Sequence, residues 1–161
     1  METLQVTKES AQAAYKQADS GGRILLANLF GRQHFFFSIA EWEEYIMSRI
    51  KTFEDACQET GEDPAETKFH SGTPDEIAYK RLKVIFRAFN PPDWKADFGN
   101  STQRKWYPWF EWTGTGFRFD GSGYDGVLTD AGGGSRLRLC SEKISNYVGK
   151  QFIDLFNQQL N

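Results

Sequence analysis

Residues 104–120 read RKWYPWFEWTGTGFRFD, and this run decides the fold class. Aromatic side chains suit a pleated, half-buried surface, so Trp106 to Trp112 and Gly116 to Asp120 are expected as strands, with Thr113-Gly114-Thr115 as the tight turn of a hairpin. A third strand is expected at Arg136 to Cys140 (RLRLC), where basic and apolar residues alternate. Between them, Gly121 to Ser135 (GSGYDGVLTDAGGGS) reads as a long glycine-rich connection. Ser141 then caps a closing helix that carries Ile144, Val148, Phe152, Leu155 and Phe156 on one face.

Upstream of the aromatic run the period changes from two to about 3.6. Thr7 can cap a first helix that ends at Ser20-Gly21-Gly22, and Arg23 to Phe30 reads as a short apolar helix stopped by Gly31. Gln33 to Phe37 fits either a short strand or a buried loop. Ser38 and Glu41 stand at capping-box spacing and open a helix whose stripe, Trp42, Tyr45, Ile46, Ile50, Phe53 and Cys57, runs to Gly61 with room for a break midway. After a polar loop over 62–72, Thr73-Pro74-Asp75-Glu76 combines a capping box, proline at the first helical position and acidic residues at the positive end of the dipole. The helix it opens should bury Ala78, Leu82, Ile85, Phe86 and Phe89 and stop at Asn90-Pro91-Pro92. The expected fold is therefore α+β, a single domain over 1–161. Its helices fill residues 1–90 and pack with a small antiparallel three-stranded sheet and a final helix over 104–161.

Composition narrows the class. With 16% aromatic and 25% charged residues the chain should be ordered and globular. Cys57 and Cys140 are too few for a disulfide scaffold and lack CxxC spacing, which fits free thiols in a reducing, cytoplasmic compartment. The opening METLQVTKESAQAAYKQ has no signal-peptide pattern, and no stretch nears the roughly 20 apolar residues of a membrane span, so no membrane partner is expected. The formal charge of −3 divides unevenly: residues 1–78 carry 7 basic and 14 acidic side chains, residues 79–161 carry 12 and 8. Such asymmetry suits a local anion-binding face, and equally suits ordinary decoration of solvated helices.

Catalytic and cofactor patterns find little support. Gly121-Ser-Gly123-Tyr-Asp-Gly126 matches GxGxxG, but no helix follows to hold a phosphate, so the reading is a hairpin loop rather than a dinucleotide site. Asp120, Asp125 and Asp130 lack EF-hand spacing, His34 and His70 lie in separate connections, and Glu43 and Glu44 are adjacent and diverge on a helix. No cofactor, metal or catalytic residue is expected.

Strand alternation gives the informative pattern. Phe117 and Phe119 share a face with Leu137 and Leu139, while Arg118, Arg136 and Arg138 fall on the other. If Trp106, Phe110 and Trp112 take the core side, Tyr107, Trp109 and Glu111 join the arginines. An exposed face of this kind can stack unpaired bases and neutralise phosphates. If the N-terminal helices cover it, the same aromatics are core.

The segments Ile50 to Cys57 (IKTFEDAC), Tyr107 to Phe110 (YPWF), Ser135 to Cys140 (SRLRLC), Tyr147 to Phe152 (YVGKQF) and the N-terminal VTKESAQAAYKQAD resemble a family of small proteins, without an assigned activity, carried by phages and prophages of gut bacteria. The resemblance spans most of the chain, and its ending is the most specific part, although RLRLC stands where the family pattern has RLCF. It implies an accessory protein of a mobile element acting in the host cytoplasm, and no mechanism. The leading expectation is thus a non-enzymatic accessory or binding protein with an unknown protein partner. The alternative is a single-stranded nucleic-acid binder using Tyr107, Trp109, Arg118, Arg136 and Arg138; a small enzyme with an unfamiliar site is the third.

Overall fold

The computed structural model describes residues 5–18, 20–31, 34–35, 38–92, 94–129 and 136–160. It combines helices with a two-stranded antiparallel sheet, so the chain is α+β. The chain divides into two compact units, Met1–Trp42 and Glu43–Asn161. No helix among the described residues is long and apolar enough to cross a membrane.

In the first unit, α1 (Lys8–Gln17) starts where the Thr7 hydroxyl accepts from the Ser10 amide at 3.2 Å. Its Tyr15 stacks on Phe35 with ring centroids 4.5 Å apart. Next, α2 (Ser20–Phe30) takes in Gly21 and Gly22, which were expected to end the preceding helix and instead lie in the first turn of the next. Gly31, at φ 83°, stops it in the left-handed region that only glycine enters without penalty. Most of Gln33 to Phe37 lies outside the described residues. The unit boundary falls within α3 (Ile39–Arg49), whose capping box forms as expected: Ser38 N–H donates to Glu41 at 3.2 Å and Glu41 N–H to the Ser38 hydroxyl at 3.2 Å.

The second unit holds the main core. The helix along the apolar stripe to Gly61, read with room for a break midway, does break after Arg49, because Thr52 and Asp55 form a second capping box that starts α4 (Phe53–Thr60). Asp55 accepts from the Lys51 and Thr52 amides, each at 2.9 Å. α5 (Pro74–Phe89) begins at the Thr73–Glu76 box, where Thr73 N–H donates to Glu76 at 3.0 Å. It buries Ala78, Leu82, Ile85, Phe86 and Phe89 as their spacing predicts. It packs against α4 on one side and α7 (Ile153–Leu160) on the other, with Phe86 edge-on to Phe156 at 6.3 Å. The closing helix is in fact two, α6 (Glu142–Gln151) and α7, parted at Phe152.

β1 (Lys105–Trp112) and β2 (Phe117–Asp125) form the hairpin, closed by a bond from Thr113 N–H to Gly116 O at 3.0 Å. β2 continues five residues beyond the expected end at Asp120, so the first glycines of the supposed connection are strand residues. The register pairs Trp109 with Gly121 and Phe110 with Phe119, which makes Asp120 a β-bulge. Past the bulge, Ser122 and Tyr124 share the face of Phe117 and Phe119, while Gly121 and Gly123 share that of Arg118.

The expected third strand is corrected to a single bridge. Trp106 and Leu139 exchange both backbone bonds, at 2.9 and 2.8 Å, and the pairing then stops. Continuing it would set residue 108 against residue 137, and Pro108 has no N–H to give. The Leu137 carbonyl accepts instead from the Arg138 guanidinium at 2.9 Å, and Asn90 holds the segment by accepting from Cys140 N–H and donating to Arg138 O, both at 2.8 Å.

Candidate functional site

One face of the hairpin is covered by α6 and α7. A β-carbon at Gly149 would lie 2.4 Å from Phe119 and 2.7 Å from Pro108, so only glycine permits this approach of α6. Phe110 meets Phe156 at 4.6 Å, and Ser122 donates to Ser145 at 2.7 Å. The opposite face carries Tyr107, Trp109, Glu111 and Arg118, as alternation predicts.

Trp109 is 57% exposed. Tyr107 lies beside it, ring centroids 6.1 Å apart, and its ring stands over Gly123, its register partner on β2, while Gly121, the partner of Trp109, has open space above it and a φ of 135°. Of the GxGxxG glycines, Gly123 therefore leaves room for an aromatic ring crossing from the neighbouring strand, which compensates glycine's weak strand preference, while Gly121 supplies the positive φ beside the bulge. A groove of about 650 Å³ touches four consecutive β1 residues, Tyr107 to Phe110, and so follows the strand's open edge; Asp125, Thr129, Leu128 and Leu160 complete much of its wall. Leu128 is 80% exposed. Sequence reasoning missed Leu128 and Leu160; the one available signal was an apolar Val127-Leu128 pair in an otherwise polar run.

The arginines do not gather as expected. Arg118 is exposed and pairs with Glu111 at 2.5 Å across the strands. Arg138 is only 3% exposed: it pairs with Asp125 at 2.7 Å, donates to the Thr129 hydroxyl at 2.9 Å, and lies 4.5 Å over the Tyr107 ring. Its expected position on an open basic face is thus corrected to a buried strut under the groove. Arg136 is exposed but faces a separate cleft with Lys83 and Lys95. The face is aromatic with its charges paired, where a basic face was expected.

Among the described residues, no group of three or more His, Cys, Asp or Glu side chains stands where a metal ion could be held. Asp125 is committed to Arg138, Asp130 lies outside the described residues, and the His70 ring hydrogen-bonds Pro64 O at 2.9 Å. No family model, curated protein or solved structure matches the chain.

Proposed function

We propose that the protein is a binding module that takes a protein partner in the groove along β1, with Trp109 as its central contact. The observation that carries this reading is the 57% exposure of Trp109 on a face whose arginines are already paired. A large aromatic is costly to leave in water, and tryptophan and tyrosine, ringed by apolar side chains with few free charges, are the residues on which protein interfaces concentrate their affinity. A single-stranded nucleic acid keeps two stacking platforms here but finds no unpaired cation beside them among the described residues. The setting we propose, an accessory role for a mobile element, rests on the segments that resemble phage proteins.

A photo-crosslinking residue at position 109, in cells that produce the protein, tests the reading. A discrete protein adduct is expected, lost when Leu128→Ser or Leu160→Ser is added, with none from the same probe at exposed Lys150. Adducts equal at both positions would overturn the proposal. Quenching of Trp109 by an oligonucleotide, abolished by Trp109→Ala, would replace it with the nucleic-acid alternative.

A further inference from the structure

A second concavity, of about 320 Å³, lies between the C-terminal half of α5, the loop after Pro91 and the Arg136–Arg138 segment. Five cationic residues line it, Lys83, Arg87, Lys95, Arg136 and Arg138, and no carboxylate does among the described residues. Arg87 pairs with Glu62 and Arg138 with Asp125. Lys83 lies 5.3 Å from the Tyr79 ring centroid, a contact that leaves its charge uncancelled, and Lys95 and Arg136 are exposed with no acidic partner among the described residues. Three unneutralised cations around one small space repel each other and attract an anion.

Trp94 and Phe98, both half-buried, supply aromatic wall in the same cleft. Their loop is held from within: Trp94 N–H donates to Pro91 O at 2.9 Å, Gln103 donates to Lys95 O at 2.9 Å, and Asp97 N–H donates to the Gln103 side chain at 2.7 Å. A ligand therefore meets a formed site. Cations beside an indole match a group that joins negative oxygens to a planar ring, and the volume lies at the small end of ligand pockets, which run from about 300 to 1,000 Å³.

We propose that this cleft is a nucleotide site, with phosphate oxygens held by Lys83, Lys95 and Arg136 and the base against Trp94. Free nucleotide and one nucleotide of a single strand present the same chemistry. The site stands apart from the groove reading, touching the groove only through Arg138, which lines the cleft and carries Tyr107 on its other side.

The test is calorimetric titration of the full chain, in about 50 mM salt to limit screening, with AMP, adenosine, a short oligothymidylate and an oligoglutamate peptide. AMP should bind about tenfold or more tighter than adenosine, and Lys95→Gln with Arg136→Gln, both at exposed positions, should remove that preference without altering circular dichroism. Trp94→Leu should weaken AMP, whereas Trp109→Ala should leave it unchanged, which separates failure of this site from failure of the groove. AMP and oligothymidylate of like affinity would assign the site to free nucleotide; a much tighter oligothymidylate, still lost in the Lys95/Arg136 variant, would assign it to a strand. Absence of binding by both, equal binding of adenosine and AMP, or equal binding of oligoglutamate would overturn the proposal.

Discussion

The Tyr107 ring lies so close across Gly123 that a β-carbon there would stand 2.9 Å from its hydroxyl end. Real β-carbons do not approach this closely, so the pair is a steric lock, and Gly123→Ala must push the ring aside. Because Tyr107 also carries the Arg138 guanidinium, the displacement spreads. Gly123→Ala should destabilise the fold by about 1–3 kcal/mol, read as a fall in urea midpoint. Gly126→Ala, whose β-carbon would meet only Ser101 O at 4.0 Å, should change little.

The Arg138–Asp125 pair is nearly dry, with side chains 2% and 12% exposed. Removing one partner leaves the other charge buried, so Asp125→Ala or Arg138→Ala should each cost about 3–5 kcal/mol. The double variant should cost clearly less than the two together, since neither charge is then stranded. Equal and additive losses in urea unfolding would show that the pair is not coupled.

Acid should weaken the turn between α3 and α4. Burial by itself would raise the Asp55 carboxyl, but the Lys51 and Thr52 amides, the Thr52 hydroxyl and the Arg49 charge outweigh it and hold the group below its ordinary value. A group depressed in the fold stabilises it above the unfolded value of about 3.9, and loses that contribution as pH falls through the folded value. The urea midpoint should therefore drop between about pH 5 and pH 3, and less steeply in Asp55→Asn. Identical slopes would remove Asp55 from the account.

Both cysteines are free thiols, and burial pushes Cys57 up and Cys140 up to about 12. At pH 8 both should be neutral and slow to react. Intact-mass measurement should find neither alkylated in the native protein and both alkylated in denaturant. Rapid native labelling of the half-buried Cys140 would contradict its raised pKa.

Helix starts were legible because capping is local: Thr7, Ser38 and Thr73 each announce a helix within four residues, and the structure honours all three. The Thr52–Asp55 box was overlooked because the apolar stripe runs unbroken through it, and periodicity alone does not register a fresh nucleus. The third strand failed for a reason written in the chain, since Pro108 sits where the ladder needs an N–H. The length of β2 was harder to foresee. Gly123 sits under the Tyr107 ring and Gly121 takes a φ of 135° beside the bulge, and both relationships appear once the register is known. Of the candidate site, the two aromatics were placed correctly. Arg118 also lies on the assigned face, but Arg136 and Arg138 do not open onto it, because alternation assigns a face and says nothing of a carboxylate arriving from elsewhere in the chain, as Asp125 does for Arg138.

Pro108 has a consequence for how copies of this chain behave toward each other. An open strand edge bearing exposed tryptophans would ordinarily invite extended segments of other molecules to add to it and propagate as a fibre. At Pro108 the edge lacks the donor that an incoming strand needs for continuous pairing, and Leu139 already occupies the position two residues before it. Continuous pairing along the first half of β1 is thereby interrupted without hiding Trp109. Whatever docks beside Pro108 gains no backbone hydrogen bond from that residue's nitrogen and must draw its recognition there from side chains.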